Sequence, residues 1–471
     1  MIKPMSNKIK KLKDTLNKTI WTDNIEKLKS HLYEQRGNIQ GKSSLLMLPK
    51  NTADVVKIVK FCNKNKISIV PQGGRTGLCG GTVPSKNGKE ILLSTEKMDK
   101  VIEVSKDGFY MIVQAGCSLS LIKKIAFENN RFFPLSLPSE SSCTIGGNIS
   151  TNAGGAAVLK YGMTKELVEG IEVVLPNGEI INSIKNIEKD NRGFDPKYLH
   201  IGSEGTLGII TKVKIRLFPE IKKKTMAIVA TDTINNLINF LKITKNDCYE
   251  YFSSFEINTN IGLNLINKFY NDIPLPFNNQ YNWYAIVELS SYDSVDLEKK
   301  INNIIGKSIK NKIILDAIIP QNLKQYNNIW KTRELLSEAQ KLNGKSIKHD
   351  ISIPIEKIPL FIKKARKFLT DFRKNNILIF GHLAEGNLHY NISKPKTMSM
   401  SVFNKLHKKV NSNIFNLVHD LGGSFSAEHG IGLIKKKEFK KYTSKEEFII
   451  KYNLKKLLDP NNIMNPGKIF N

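Results

Sequence analysis

The chain has 471 residues, a length that usually folds into more than one domain. Its hydrophobic content of 40% excludes a disordered protein. Its 72 lysine and arginine residues outnumber the 43 aspartate and glutamate residues, giving a formal net charge of +29. These basic residues are mostly lysine and are scattered along the chain, a pattern typical of solvated faces rather than of a nucleic-acid-binding patch. The five cysteines form no Cys-x-x-Cys pair, which argues against a disulfide framework and a cysteine-based zinc site.

The sequence predicts a protein of the reducing cytoplasm. Residues 1–18 are lysine-rich and lack the apolar segment of a signal peptide. No run of 18 apolar residues occurs, so we expect no transmembrane span. A basic face can still attract an anionic membrane, an acidic protein or an anionic substrate, which leaves peripheral association with a membrane open.

The first predicted elements lead to a glycine-rich loop. Residues 1–40 are expected to form a polar helical arm, because apolar residues recur there at helical spacing. Thr52 is the expected N-cap of a helix from Ala53 to about Asn63, and a buried strand is expected over 67–70.

The segment Pro71–Pro84 follows that strand and has five glycines between Gly73 and Gly81. Glycine leaves backbone N–H groups accessible, so a phosphate oxygen can approach them at a strand end. The residues after Gly81 do not begin a helix, which a Rossmann dinucleotide fingerprint requires. A bound nucleotide therefore implies another fold, and a glycine-rich turn without a ligand remains the alternative.

Two more glycine clusters follow in the same predicted domain, Thr144–Gly155 and Ile201–Ile210. The elements predicted around them are strands 91–94, 101–104 and 109–115, a helix over 119–128, and strands 171–175, 179–181 and 211–217. Pro176-Asn177-Gly178 is a strong hairpin signal between two of these strands. Three glycine clusters could together offer backbone donors to one long anionic ligand such as a dinucleotide, although three unrelated tight turns remain the alternative.

The second half of the chain carries a concentration of histidines. A predicted strand over Ile377–Phe380 leads to His382 and His389, which flank a turn, so a hairpin would bring both imidazoles to one side. Glu428 and His429 come from a separate segment. Two or three histidines with one carboxylate suit Zn²⁺ or another divalent metal, whereas an ordinary polar role for each histidine is the alternative.

Three segments together carry a resemblance to a known family: Pro71–Pro84, Thr144–Gly155 and the run from Ile201 to Thr211. They resemble the FAD-linked oxidases with a PCMH-type (vanillyl-alcohol-oxidase-like) flavin domain. The resemblance implies an α+β protein with a two-subdomain FAD-binding domain and a substrate, or cap, domain that contains an antiparallel sheet. The expected domain ranges are a helical arm over 1–40, the FAD domain over 41–220, the cap domain over 221–420 and a helical C-terminal segment over 421–471 that returns to the FAD site.

This resemblance also implies which residues bind FAD. They are Gln72, Gly73, Gly74, Arg75, Thr76, Gly77, Gly80, Gly81, Thr144, Gly146, Gly147, Asn148, Thr151, Asn152, Ala153, Gly154, Glu204, Gly205, Gly208, Ile209, Ile210 and Asn465. Some relatives attach FAD covalently through a histidine in the first loop. Arg75 stands at that place here and the loop has no histidine, so the expected FAD is non-covalent.

Two motifs of the second half are similar to those of the D-2-hydroxyglutarate and D-lactate dehydrogenase branch: His-Leu-x-x-Gly-Asn-Leu-His from His382, and Ser-Ala-Glu-His-Gly-Ile-Gly around His429. The resemblance implies His382, His389 and Glu428 as ligands of Zn²⁺, Mn²⁺ or Co²⁺, and His429, together with Glu428, as the catalytic residues, His429 being the general base. Asn391 would contact substrate. One departure is visible, because Ala384-Glu385 stands where the turn usually carries Gly-Asp.

The same branch binds substrate carboxylates through an arginine, a hydroxyl residue four positions later and a lysine. Arg333, Ser337 and Lys348 occupy these places, Arg333 and Ser337 within one predicted helical run. Arginine suits bidentate carboxylate binding, whereas a surface Arg–Glu pair and a solvated lysine are the alternatives.

The expected function is therefore the oxidation of a D-2-hydroxy acid, with D-2-hydroxyglutarate first and D-lactate or glycolate as alternatives. His429 would take the hydroxyl proton and the C2 hydride would pass to FAD. An electron-transfer flavoprotein, a quinone or a cytochrome would accept the electrons. A flavin alcohol or sugar oxidase and a basic nucleic-acid- or membrane-binding protein are the other classes, and the oligomeric state stays open, a homodimer included.

Overall fold

The computed structural model describes residues 3–187 and 189–470. The chain divides into two compact units. The first unit comprises residues 1–155, 162–220 and 428–471, and the second comprises 156–161 and 221–427. Residues 1, 2 and 471, which belong to the predicted arm and C-terminal segment, lie outside the described residues. The four predicted domain ranges remain a prediction.

The described residues of the first unit form three sheets. Its strands are β1 (Trp21–Thr22), β2 (Leu46–Met47), β3 (Ser68–Gln72), β4 (Glu90–Ser94), β5 (Val101–Val104), β6 (Tyr110–Gln114), β7 (Arg131–Phe132), β8 (Val168–Val174), β9 (Ile180–Asn182), β10 (Ile209–Arg216) and β11 (Phe218–Pro219). One sheet has the order β1-β2-β4-β3 and is parallel except at β1; a second, antiparallel, has the order β5-β6-β10-β8-β9; the third pairs β7 with β11.

Among the described residues of the first unit, four helices have ten residues or more and the others are shorter. The helices are Lys3–Thr15, Ile25–Lys29, Thr52–Asn65, Leu119–Glu128, Ile145–Ser150, Thr164–Leu167, Lys197–His200, Lys436–Tyr442 and Lys445–Leu458, with a 3-10 turn at Lys18–Ile20. Helix Thr52–Asn65 buries Val55, Ile58, Val59 and Cys62 on one face, where they join a hydrophobic core cluster of this unit. The recurrence of apolar residues at helical spacing explains both the helix and its packing.

Three predictions for this unit are corrected. The helix cap is Asn51, whose Oδ1 accepts the N–H of Asp54 over 2.9 Å, and Thr52 is the first helical residue. The predicted arm is not wholly helical, because β1 pairs with β2. The second glycine cluster is not a loop throughout: it contains helix Ile145–Ser150, where a Cβ on Gly146 would lie 2.7 Å from Cβ of Ala115, so the glycine there allows close packing.

The second unit is built on one seven-stranded antiparallel sheet, as the resemblance implies for the cap domain. Its strands are β12 (Lys223–Thr231), β13 (Phe252–Thr259), β14 (Trp283–Ser291), β15 (Asp316–Ile318), β16 (Ser346–Ser352), β17 (Ile377–His382) and β18 (Asn387–Ser393). Their order is β15-β12-β14-β13-β17-β18-β16. Every residue of the central strands β13 and β14 is buried, so polar residues within them must find partners inside the protein.

Helices and 3-10 turns complete the second unit. The helices are Val158–Tyr161, Ile234–Cys248, Asn260–Phe269, Leu297–Lys310, Leu323–Glu334, Leu336–Leu342, Ile358–Lys367 and Met400–Asp420, and the 3-10 turns are Ile355–Lys357, Lys374–Asn376 and Leu383–Glu385. Within residues 3–187 and 189–470, no helix is both long and apolar enough to cross a membrane. The mixture of helices with mainly antiparallel sheets confirms the α+β class.

Candidate active site

All predicted cofactor-binding residues lie in the first unit, where the three glycine-rich segments meet. A Cβ on Gly73 would lie 2.4 Å from Oγ1 of Thr144, so the first segment touches the second. The N–H of Glu204 donates to the carbonyl of Ser150 over 2.7 Å, which joins the third segment to the second. Residues far apart in the sequence thus contact one another within this unit.

The first segment leaves the edge strand β3 and is held in place by a buried side chain. Nε2 of Gln72 donates to the carbonyls of His31 (2.9 Å) and Thr82 (2.7 Å), which closes the loop on itself. Arg75 has a left-handed backbone with φ of 58°, and its Nη1 lies 3.5 Å from the carboxylate of Glu96. The structure therefore shows Gln72 supporting the loop, and it adds His31 and Glu96, which no sequence motif marks.

The other predicted residues of this segment have little side chain. They are Gly73, Gly74, Thr76, Gly77, Gly80 and Gly81. A Cβ on Gly74 would lie 1.9 Å from the carbonyl oxygen of Ser142, so only glycine allows this approach. A Cβ on Gly77 would instead meet no atom within 4 Å. One glycine serves the fold, whereas the other leaves open space at the surface of the loop.

Thr144 tests whether the site suits a phosphate-bearing cofactor. Its hydroxyl is buried and has no hydrogen-bond partner among the residues that the structure describes. It lies between Gly73 and Gly147, whose added Cβ atoms would stand 2.4 and 3.4 Å from it. An unsatisfied buried donor is costly, and bare backbone around it gives an anionic oxygen room to approach. The residues present therefore fit a group such as FAD.

The second segment places its remaining predicted residues on or just after helix Ile145–Ser150. They are Gly146, Gly147, Asn148, Thr151, Asn152, Ala153 and Gly154. Asn152 has φ of 47°, and its Oδ1 accepts the N–H of Lys165 over 3.0 Å. Nδ2 of Asn148 lies 3.6 Å from Sγ of Cys143. These two amides thus fix the shape of the segment.

The third segment ends in β10, which begins with Ile209 and Ile210. Gly208 has φ of +157°, and a Cβ on it would lie 2.8 Å from Cγ1 of Val173 in β8. His200 is buried beside it, and burial lowers the pKa of His200 to about 4, so its ring is neutral at physiological pH. This end of the site is therefore tightly packed.

Residue Asn465 joins the segments from the C-terminal side. Its Nδ2 donates to the carbonyls of Gly81 (2.9 Å) and Glu204 (2.8 Å). Its predicted cofactor role remains a prediction, and its side chain links the first and third segments.

Glu204 binds a loop that follows His429 in the sequence. Its Oε1 accepts the N–H of Ile431 over 2.7 Å and its Oε2 accepts that of Gly432 over 2.8 Å. Burial raises the pKa of Glu204, and the two backbone donors offset only part of this rise. Oε1 of Glu428 accepts the N–H of Gly155 over 3.1 Å. The segment 428–432 is therefore held at both ends within the first unit.

The predicted histidine hairpin is present in the second unit. Strands β17 and β18 pair antiparallel around the turn Leu383–Glu385, and Gly386 follows in the left-handed region with φ of +71°. The ring centroids of His382 and His389 lie 6.2 Å apart, and one ring nitrogen of each lies within 4.8 Å of the other. The local sequence pattern thus brought two potential metal ligands together, as expected.

A buried carboxylate, which the sequence did not reveal, holds His382. Oε1 of Glu256 forms a short hydrogen bond with Nδ1 of His382, and its Oε2 accepts from Nε of Arg333 over 2.6 Å. The Glu256 side chain is only 1% exposed. Burial would raise the pKa of Glu256, but the adjacent His382 and Arg333 outweigh it and hold the pKa below its usual range. The one feature that could have pointed to Glu256 is an acidic residue in the middle of a strand that is otherwise buried.

His389 also has a neighbouring carboxylate. Its Nδ1 lies 4.0 Å from Oδ1 of the buried Asp350, which in turn accepts from Nδ2 of Asn387 over 3.1 Å. Glu385, the residue that departs from the usual turn, lies in the same hairpin. Burial raises the pKa of Glu385 to about 7. A carboxylate thus lies beside each imidazole, Glu256 at His382 and Asp350 at His389, which suits binding of a cation.

The predicted substrate residues all lie in the second unit. Arg333 and Ser337 are not on one helix. Leu335 separates helix Leu323–Glu334, which carries Arg333, from helix Leu336–Leu342, which carries Ser337. Lys348 and Asn391 are register partners in β16 and β18. The Arg333 guanidinium lies 5.0 Å from the ring of Phe380, a cation–π contact.

The amide of Asn391 is engaged inside the protein. Its Nδ2 donates to Oε1 of Gln340 over 2.9 Å, and its Oδ1 accepts the N–H of His349 over 3.2 Å. Asn391 is 3% exposed. Its contact with substrate therefore remains a prediction.

Comparison with known protein families identifies the chain. Residues 43–183 match the FAD binding domain, and residues 221–469 match the C-terminal domain of FAD linked oxidases. The chain therefore belongs to the FAD-linked oxidases and is an FAD-dependent oxidoreductase, which confirms the resemblance and the FAD prediction.

Several curated relatives are similar over most of the chain. A probable mitochondrial D-2-hydroxyglutarate dehydrogenase of Oryza sativa subsp. indica is 36% identical over 92% of this chain and 76% of its own length. The D-2-hydroxyglutarate dehydrogenase of Stutzerimonas stutzeri is 32% identical over 91% of both. A putative mitochondrial D-lactate dehydrogenase of Schizosaccharomyces pombe is 31% identical over 91% of this chain and 82% of its own.

Solved structures share the fold at low sequence identity. p-Cresol methylhydroxylase has a TM-score of 0.75 at 14% identity and covers 98% of this chain and 96% of its own. An alkyldihydroxyacetonephosphate synthase has a TM-score of 0.72 at 17% identity over 98% of this chain and 84% of its own. These likenesses support the PCMH-type fold.

Proposed function

We propose that the protein is a dehydrogenase that oxidises a D-2-hydroxy acid to the 2-oxo acid, with D-2-hydroxyglutarate as the first candidate substrate. The names of the curated relatives support this substrate class. The observation that carries the proposal is the contact of one buried carboxylate, Glu256, with both Arg333 and His382. A guanidinium that suits a substrate carboxylate and an imidazole that suits a metal are thereby held at one point of the sheet.

The glycine-rich segments of the first unit would hold FAD, which supplies the hydride acceptor. The hydroxyl of Thr144 and the backbone without side chains at Gly73, Gly77 and Gly147 are suited to its phosphates. Because Arg75 stands where some relatives have the attaching histidine, acid denaturation should release the flavin into solution. Flavin that stays with the precipitated protein would contradict this.

A divalent cation would be held by His382 and His389, and Glu428 is the third ligand that the sequence motif predicts. Zn²⁺ is the first candidate, with Mn²⁺ and Co²⁺ as alternatives. Such a cation lowers the pKa of a coordinated hydroxyl. His429 is the proposed general base, since imidazole is the side chain that ordinarily exchanges protons near neutral pH.

Arg333 would recognise the second carboxylate of the substrate, and Ser337, Lys348 and Asn391 are further proposed contacts. Nε of Arg333 is bonded to Glu256, so the edge formed by its two Nη atoms is the one that would face a carboxylate. This assignment favours D-2-hydroxyglutarate over D-lactate and glycolate, which have one carboxylate. D-lactate remains the second candidate because of the relative from Schizosaccharomyces pombe.

A substrate panel with an artificial electron acceptor tests the proposal. The holo-protein supplied with Zn²⁺ or Mn²⁺ should reduce a dye with a much higher kcat/KM for D-2-hydroxyglutarate than for D-lactate. Equal values would overturn the two-carboxylate assignment. Arg333→Lys should lower kcat/KM for D-2-hydroxyglutarate more than kcat/KM for D-lactate, because lysine cannot form the bidentate pair with the second carboxylate.

Two variants test the metal and the base separately. His382→Ala should lose bound metal, measured by elemental analysis, and keep the yellow flavin. Full activity of the wild-type protein in EDTA would contradict a metal requirement. His429→Ala should keep FAD, yet substrate should no longer bleach it; normal bleaching would remove His429 as the base.

The other two classes have cheap discriminating observations. A flavin alcohol or sugar oxidase would be reoxidised rapidly by O₂ alone, whereas the proposed dehydrogenase requires another acceptor. A protein that only binds nucleic acid or membrane would have no flavin spectrum.

The physiological acceptor and location remain proposals. An electron-transfer flavoprotein, a quinone or a cytochrome would take the electrons. A cytoplasmic location is proposed from the sequence, with peripheral membrane association left open, although several relatives are named mitochondrial. A homodimer also remains open.

A further inference from the structure

We propose that Glu256 is a positioning residue that fixes two functional side chains at once: the metal-facing imidazole of His382 and the carboxylate-facing guanidinium of Arg333. Glu256 thereby couples metal binding to recognition of the second carboxylate of the substrate. The inference rests on the proposed function for the roles of these two side chains.

The register of the sheet explains how Glu256 reaches His382. Glu256 in β13 is the direct partner of His382 in β17, so both side chains project from the same face of adjacent strands. β13 lies in the middle of the sheet, between β14 and β17, and all its residues are buried. Burial of a carboxylate at this position is unfavourable unless partners compensate its charge, so packing alone does not explain a glutamate here.

The contact with His382 selects one form of the imidazole. The same carboxylate accepts from the permanently charged Arg333, and a carboxylate in such a pair accepts hydrogen bonds, so the geometry assigns the proton of the second contact to Nδ1 of His382. In the neutral ring, Nε2 is then the nitrogen with a lone pair for a metal ion. Hydrogen bonding of this kind orients a ligating histidine and raises its basicity.

The contact with Arg333 fixes the other group. Oε2 of Glu256 accepts from Nε at 2.6 Å, which engages the inner edge of the guanidinium. The ring of Phe380 lies 5.0 Å from the guanidinium carbon and helps to set its plane. With Nε and the plane fixed, the direction of the two Nη donors is fixed as well.

A second buried glutamate provides a matched control. Glu288, in the adjacent strand β14, is held by Tyr326 through a short hydrogen bond, by Ser253 Oγ at 3.0 Å and by Trp330 Nε1 at 3.3 Å. It is buried in the same sheet and contacts neither His382 nor Arg333 in these bonds. Glu288→Gln therefore tests the general cost of removing a buried carboxylate from this sheet.

The first experiment measures zinc affinity by competition with a chromophoric chelator, using holo-flavoprotein. Glu256→Gln should bind zinc about 10- to 100-fold more weakly than wild type, whereas Glu288→Gln should stay within about 2-fold. Glu256→Gln should also raise KM for D-2-hydroxyglutarate more than KM for D-lactate. Wild-type zinc affinity and unchanged selectivity in Glu256→Gln would overturn the inference.

A second measurement needs no metal and separates the inference from the proposed function. In metal-free protein with ¹⁵N-labelled histidine, the His382 signals, assigned by their loss in His382→Ala, should show the proton on Nδ1 in wild type. A ring protonated on Nε2 and not on Nδ1 would overturn the inference even if the enzyme prefers D-2-hydroxyglutarate. If wild type shows the Nδ1 proton but binds no zinc, the metal part of the proposed function fails while the positioning of His382 stands.

Discussion

The two units prepare their sites in different ways. In the first unit, backbone groups line the proposed cofactor site, and glycines such as Gly77 leave them uncovered. The buried carboxylate of Glu204 also binds backbone, namely the N–H groups of Ile431 and Gly432. In the second unit the side chains take this role, with Glu256 bound to the charged or chargeable groups of Arg333 and His382.

The pKa values of the two glutamates express this difference. Backbone amides carry no net charge, and burial raises the pKa of Glu204 despite them. The cationic partners of Glu256 outweigh burial and lower its pKa. A site of bare backbone is therefore sensitive to added volume, whereas a site of paired charges is sensitive to the removal of one partner.

Removal of the Glu256 charge should have the largest effect on stability. Glu256→Leu leaves the Arg333 guanidinium without its buried partner, and such broken pairs cost about 3–5 kcal/mol. We expect a large decrease in the urea midpoint of the second unit's unfolding. The double variant Glu256→Leu, Arg333→Met should recover much of the loss; a double variant as unstable as the single one would contradict the charge explanation.

Addition of one methyl group at Gly74 in the first unit should have the next largest effect on stability. The Cβ in Gly74→Ala would lie 1.9 Å from the Ser142 carbonyl oxygen, so the two segments must separate. We expect a loss of about 1–3 kcal/mol, measured by chemical unfolding of the apoprotein, together with reduced flavin content. Wild-type stability and flavin content would show that the segments are not closely packed.

The pH dependence of stability should separate backbone-bound from side-chain-bound carboxylates. Because the pKa of Glu204 is raised above 4.5, its contribution is full below pH 4.5 and decreases as pH rises through the folded-state pKa. Burial opposes ionisation of Glu172, but hydrogen bonds from Thr52, Lys212 and Thr211 lower its pKa, so its contribution is present above pH 4.5 and is lost at lower pH.

Unfolding midpoints across pH 3–8 for wild type, Glu204→Gln and Glu172→Gln would check these signs. Each variant should flatten a slope, and the two slopes should be opposite. Slopes of the same sign would mean that the type of partner does not set the pKa.

Gly77→Ala should have the smallest effect on the fold. Its Cβ would meet no atom within 4 Å, so the apoprotein's unfolding free energy should change by less than about 0.5 kcal/mol. If the open space belongs to FAD, the same methyl group should weaken FAD binding, measured by titration of the apoprotein. Unchanged FAD affinity would remove Gly77 from the cofactor site.

Features encoded by neighbouring residues could be predicted from the sequence. Helix Leu119–Glu128 and strand Val101–Val104 have the predicted bounds, and Pro176-Asn177-Gly178 joins β8 and β9 as expected. The hairpin of His382 and His389 was likewise predicted, because its glycine-containing turn separates them by only a few residues.

Features set by distant contacts could not be predicted. Glu256 lies 126 residues before His382, and only the pairing of β13 with β17 brings them together. Helix Ile145–Ser150 has two glycines, which disfavour helices locally, and its packing against Ala115 overrides that preference. At the start of helix Thr52–Asn65, both Asn51 and Thr52 are suitable caps, so sequence alone did not choose between them.

The edge strand β3, which leads into the first glycine segment, has a consequence for biosynthesis. The N–H of its Ile69 donates to Ile463 over 2.7 Å, and the carbonyl of Ile69 accepts from Asn465 over 2.8 Å. Residues 463–465 leave the ribosome after the whole second unit has been made. The edge of β3 therefore lacks these native partners until the end of translation, so the second unit can complete its sheet before the first unit closes.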